Sequence, residues 1–162
     1  MVVLGVGNRL RGDDAIGCIV CDELQGAGES PIANRQSPIA SDVFVLDCGN
    51  TPENYIQPVA DRKPTRVLIV DACNYGTKPG EFRLFSHEEV DSLSYGLLST
   101  HTLPLTLTME MLSLETHAAI SLLGIQPERI EFGEDLSEPL HRALPAVVEF
   151  VRNWAQAGTE AP

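Results

Sequence analysis

The run Val67-Leu68-Ile69-Val70 is apolar at every position and ends at Asp71. A strand with no polar face must be covered on both sides, which makes Arg66–Val70 an inner strand of a sheet with helices above and below. The rest of the chain supplies the partners. Met1–Val6 is a second apolar run, closed by the turn Gly5-Val6-Gly7-Asn8. Val43–Leu46 is a third, ending at Asp47-Cys48-Gly49, and Ala118–Ile125 is the last strand. Phe82–Phe85 is a short strand after the Lys78-Pro79-Gly80 turn.

Helices fill the gaps. Ile16, Ile19, Val20 and Leu24 recur at helical spacing over Asp14–Leu24. A short helix spans 53–61. Ser86 and Glu89 form a capping box at the start of the next one. A helix near 104–115 carries Leu105, Met109 and Leu112 on one side. The last helix, 137–155, has Leu140, Leu144, Val147, Val148, Val151 and Trp154 as its core stripe. The expectation is an α/β fold: a three-layer α/β/α sandwich around a mainly parallel twisted sheet of about five strands. Residues 1–155 are expected to form one domain, with 156–162 a frayed tail and the breaker-rich stretch 26–41 an exposed loop.

Composition narrows the partners. The chain has 162 residues, 43% hydrophobic and 21% charged, which excludes disorder, collagen and coiled coil as descriptions of the whole. Its net charge of −12 repels phosphate backbones, so no nucleic-acid partner is expected. No apolar run is long enough to span a bilayer, and the N-terminus lacks the basic start of a signal peptide. Four cysteines are too few for a secreted disulfide scaffold, so reduced thiols and a cytoplasmic location are expected.

In sheets of this kind, ligands bind outside the carboxyl ends of the strands. Reactive residues just beyond the strands are therefore the candidates. Asp13-Asp14 follow strand one, Asp47 follows strand two, Asp71 follows strand three, and His101 lies in the 99–104 loop. Their spacing, roughly 25–35 residues, suits successive strand–helix units whose ends converge on one crevice. Each residue also has a plainer reading. Asp13 or Asp14 can cap the first helix, Asp47 and Asp71 can begin turns, and His101 can be a solvated loop residue. Taken together, three carboxylates at one sheet end repel each other unless a cation answers them. Carboxylate and imidazole suit zinc, nickel or iron.

Other motifs fall away. Gly5-Val6-Gly7-Asn8-Arg9-Leu10 has leucine where a dinucleotide fingerprint needs its third glycine, and no phosphate loop is present. Cys18 and Cys21 share a helix without a second pair at zinc spacing and read as packing residues; Cys48 and Cys73, beside the candidate site, read the same way. His87, His117 and His141 read as solvated. No serine stands in a nucleophile elbow.

The chain resembles the maturation endopeptidases of nickel–iron hydrogenases. The matching stretches are Gly5-Val6-Gly7-Asn8-Arg9-Leu10-Arg11-Gly12-Asp13-Asp14-Ala15-Ile16-Gly17, Leu46-Asp47-Cys48-Gly49-Asn50, Ile69-Val70-Asp71-Ala72, Thr100-His101-Thr102-Leu103-Pro104-Leu105 and Leu123-Gly124-Ile125-Gln126-Pro127. The resemblance implies a protease that removes the C-terminal extension of a hydrogenase large-subunit precursor after nickel insertion. It assigns the metal contacts to Asp14, Asp71 and His101, and links Asp47 to recognition and processing. The nickel then arrives with the substrate, and no tightly bound metal of the protein's own is expected. Aspartate at position 14 and Thr51-Pro52-Glu53-Asn54 resemble the branch serving formate-linked and related hydrogenases. Two features depart from the family: Cys48 stands where glycine is common, and the 26–41 loop is longer. Two alternatives remain at this point, a phosphoaspartate receiver-type signalling domain and an ordinary metallopeptidase with its own zinc.

Overall fold

The computed structural model describes residues 1–26, 39, 42–93, 104–133 and 135–157. Five strands form one sheet: β1 (Val2–Gly5), β2 (Phe44–Asp47), β3 (Arg66–Ala72), β4 (Phe82–Ser86) and β5 (Ala119–Ile125). Their order is β2-β1-β3-β5-β4. All neighbours are parallel except β4, which runs antiparallel on the edge beside β5. The helices are α1 (Ile16–Gln25), α2 (Ile56–Ala60), α3 (His87–Leu93), α4 (Leu105–Thr116) and α5 (Glu138–Gln156).

The unbroken apolar run of β3 explains the three layers. Leu68 and Val70 point into one core with Ile16, Val20, Leu24, Leu140, Leu144 and Val151, under α1 and α5. Val67 and Ile69 point into a second core with Val59, Val90, Met109 and Leu112, under α2, α3 and α4. A strand has side chains alternating between faces, so only a residue sequence apolar throughout can serve both cores at once. The core stripes expected for α4 and α5 are the buried ones. The capping box is present: Glu89 N–H donates to Ser86 Oγ and Ser86 N–H to Glu89 Oε2, at 3.3 and 2.9 Å.

Several details differ from the sequence reading; the helix expected at 53–61 is a 3-10 turn over Pro52–Tyr55 followed by α2. β3 runs two residues further, because Asp71 and Ala72 pair with Gly124 and Ile125 of the equally long β5. The first helix is divided: Gly12–Ala15 is a 3-10 turn, and α1 begins at Ile16. His87 is half-buried rather than solvated. The 26–41 loop, apart from Gly26 and Ile39, and residues 158–162 lie outside the described residues. No helix among the described residues is long and apolar enough to cross a membrane.

Candidate active site

Backbone bonds stitch the carboxyl ends of β1, β2 and β3 side by side. Val6 N–H donates to Val70 O at 2.9 Å, Cys48 N–H to Gly5 O at 2.8 Å and Gly7 N–H to Gly49 O at 2.8 Å. Two glycines let the start of α1 rest directly on these ends. A side chain at Gly17 would fall 2.3 Å from both Val6 O and Val70 O. One at Gly7, whose φ is +146°, would fall 1.8 Å from Asp14 O. The motif glycines thus serve close backbone packing, which sets Asp14 against the sheet.

Asp14 is 1% exposed, and its Oδ2 accepts the Asn8 N–H at 3.0 Å. Asp71 is 0% exposed and sits inside the β3–β5 ladder, not in the loop beyond it. Its position is therefore fixed by two neighbouring strands. Cys73, buried like both aspartates, follows Asp71 and Ala72 in the chain. Burial pushes its thiol well above the ordinary value, and the negative charges of Asp71 and Asp14 add to that. Asp14 and Asp71 are thus both buried at the carboxyl end of the sheet, and the charge of each acts on the Cys73 thiol.

Asp13 does something else. It is 0% exposed, and it does not cap a helix. Its Oδ2 accepts the N–H groups of Glu128 and Arg129 at 2.7 and 3.0 Å and the Ser137 hydroxyl at 2.8 Å. Its Oδ1 accepts the Ser137 N–H at 2.7 Å. The neighbouring acids are divided between a structural tie and the candidate site.

Asp47 lines a separate cleft of about 340 Å³ with Arg9, Cys48, Asn50, Thr51 and Tyr55. Arg9 holds it, with NH2 to Asp47 Oδ2 at 2.6 Å and Nε to the same oxygen at 3.2 Å. The same guanidinium reaches Asp22, with NH1 to Oδ2 at 2.7 Å and NH2 to Oδ1 at 3.0 Å. Burial alone would raise the Asp47 carboxyl, but Arg9 and the Gly49 N–H outweigh it and hold the group below the usual carboxylate range. Asp47 is therefore an ionised acceptor near neutral pH. The departure at Cys48 costs the loop nothing, since Gly49 takes the left-handed turn at φ +54°. Burial pushes the Cys48 thiol up to about 12, and the Cys18 and Cys21 thiols are raised for the same reason. None of these is an activated nucleophile.

Arg9→Ala is expected to destabilise the protein by about 1 kcal/mol or less at pH 7, because both carboxylates are partly exposed. The folded-state pKa of Asp47 lies below its unfolded value. The pair's contribution is thus present above the ordinary carboxylate pKa and vanishes as pH falls through the folded-state value. Melting curves of variant and parent, separated at pH 7, should converge in strong acid; a gap that widens there contradicts the assignment.

His101 lies outside the described residues. Among the described residues, no group of three His, Cys, Asp or Glu could hold a metal ion. Two residues that the sequence reading did not single out organise the site, Arg9 and Gln126. Gln126 Oε1 accepts the consecutive N–H groups of Tyr75, Gly76 and Thr77 at 3.0, 3.1 and 3.3 Å, fixing the loop that follows Asp71 and Cys73.

Among the described residues the carboxyl end of the sheet holds two buried carboxylates, and the cysteine thiols are all raised by burial. The comparisons name the class. The hydrogenase maturation protease family model matches residues 31–154. The chain is 31% identical over 157 residues to the hydrogenase 3 maturation protease of Escherichia coli (strain K12), covering 97% of this chain and 92% of that one. It is similar to the crystal structure of the NiFe hydrogenase maturation protease HycI from Thermococcus kodakarensis KOD1, with a TM-score of 0.77 at 31% identity over 94% and 89% of the two chains. The solution structure of the endopeptidase HycI from Escherichia coli gives 0.75 at 29% identity over 95% and 90%. The chain belongs to the hydrogenase maturation protease family, and its activity is that of a hydrogenase maturation endopeptidase. These comparisons lend the receiver reading nothing.

Proposed function

We propose that this protein removes the C-terminal extension of a nickel–iron hydrogenase large-subunit precursor after nickel insertion, using the bound nickel as its recognition element. The observation that carries this reading is that Asp14 and Asp71 are both buried at the carboxyl end of the sheet, where the charge of each acts on the Cys73 thiol. A dication brought by the precursor would neutralise both carboxylates. His101, in the motif that resembles the family's, supplies an imidazole as the third contact, a donor set suited to nickel. Three contacts leave coordination open for ligands that the metal already has in the precursor.

The substrate's nickel acts as Lewis acid toward the scissile carbonyl, which water attacks. A carboxylate of the Asp14–Asp71 pair accepts the proton. Asp47, kept ionised by Arg9, is suited to binding the precursor chain and not to proton donation. The four free cysteines fit a reducing cytoplasm. Precursor binding also positions the scissile bond, which is a large part of the rate.

The test is a matched pair of precursor samples, one produced with nickel and one without, incubated with the protein and resolved by gel shift. Cleavage of the loaded sample alone is expected, together with no hydrolysis of casein in the presence or absence of zinc. Equal processing of the nickel-free sample, or brisk casein hydrolysis, would favour an ordinary metallopeptidase.

A further inference from the structure

Leu10 and Phe132 are the most exposed large apolar side chains among the described residues, at 68% and 71%. They stand on two loops joined to each other. Gly133 N–H donates to Leu10 O at 3.0 Å, and Arg11 Nε donates to Ile130 O at 3.2 Å. The Arg11 guanidinium lies 5.0 Å over the Phe132 ring. Asp13 ties the same loops through the N–H groups of Glu128 and Arg129. The backbone beneath both side chains is therefore latched from several points, and each is held outward. The loops leave the carboxyl ends of β1 and β5, the sheet end that carries Asp14 and Asp71.

We infer that Leu10, Phe132 and the Arg11 guanidinium form a docking surface for an apolar segment of the precursor. This rests on the reading that a large-subunit precursor is the substrate. A precursor presented to Asp14 and Asp71 must cover this end of the sheet, so the patch is continuous with the surface it occupies during cleavage. A second copy is the poorer occupant, since it would bring another twelve net negative charges against the first. Phenylalanine and arginine are also among the residues enriched at protein interfaces.

The experiment compares the parent with Leu10→Ser/Phe132→Ser and with Asp71→Asn on a nickel-loaded precursor, measuring binding and steady-state cleavage. The double variant should keep the parent's melting temperature, because both side chains are exposed. Its KM and its Kd should rise about tenfold or more, with kcat at saturating precursor within about twofold. Asp71→Asn should bind and fail to cut. Parental cleavage with unchanged KM in the double variant overturns the patch and leaves the substrate reading standing. A parent that neither binds nor cuts the precursor removes the substrate reading, and this occupant with it. A concentration-dependent dimer of the parent that the double variant loses assigns the patch to a second copy instead.

Discussion

Asp14→Ala, Asp71→Ala and His101→Ala are each expected to abolish precursor cleavage, by about a hundredfold or more, in proteins that remain folded. The argument for the two aspartates is physical. Both are buried, the charge of each acts on the Cys73 thiol, and neither belongs to the apolar cores above and below the sheet. The Asn8 N–H that Asp14 accepts is part-buried, so water can take over that acceptor role in Asp14→Ala. Melting temperatures should therefore stay within a few degrees of the parent. His101 joins them through its motif, with the same expected loss of product on a gel. Normal cleavage by any one variant removes that residue from the site. Collapse of the melting curve in Asp14→Ala or Asp71→Ala would make that carboxylate structural.

The layered fold was legible because its cause is local. Val67 to Val70 carry the burial of both faces in four letters, and the stripe from Leu140 to Trp154 carries the helix that covers one of them. The end of β3 was not legible, since Asp71 and Ala72 join the ladder only because β5 offers Gly124 and Ile125 as partners. Strand-end position singled out Asp14, Asp47 and Asp71 as candidates, but it could not divide Asp14 from Asp13. That division depends on Glu128, Arg129 and Ser137, more than a hundred residues away. Arg9 carried a faint signal, as a cation in a motif otherwise rich in acids; its partners Asp22 and Asp47 come from other elements. Gln126 carried another, as a polar residue directly after an apolar strand. Its three amide partners belong to a distant loop.

Asp13→Ala should unfold the protein far more readily than Asp14→Ala, although the two residues are adjacent and equally buried. Four donors converge on the Asp13 carboxylate: the N–H groups of Glu128, Arg129 and Ser137 and the Ser137 hydroxyl. Alanine strands all four: the two Ser137 donors are buried, while the N–H groups of the exposed Glu128 and Arg129 are part-buried. Each buried donor left without an acceptor costs about 1–3 kcal/mol before relaxation. A loss of about 3–5 kcal/mol is expected, as for other broken buried polar networks. At roughly 2–4 °C per kcal/mol for a chain of this size, the melting temperature falls by about 6–20 °C. Asp13→Asn keeps the shape and one acceptor oxygen but turns an N–H₂ group toward donors, so it should fall between parent and alanine. That order, parent above asparagine above alanine, separates lost acceptors from lost packing, because packing alone would leave asparagine at the parent's value. Amide hydrogen exchange at Glu128, Arg129 and Ser137 should quicken in the alanine variant, where all three N–H groups lose their acceptor, and less in the asparagine variant, which keeps one acceptor oxygen. An alanine variant that melts within about 2 °C of the parent would mean that the loops beyond β1 and β5 are held by something other than Asp13.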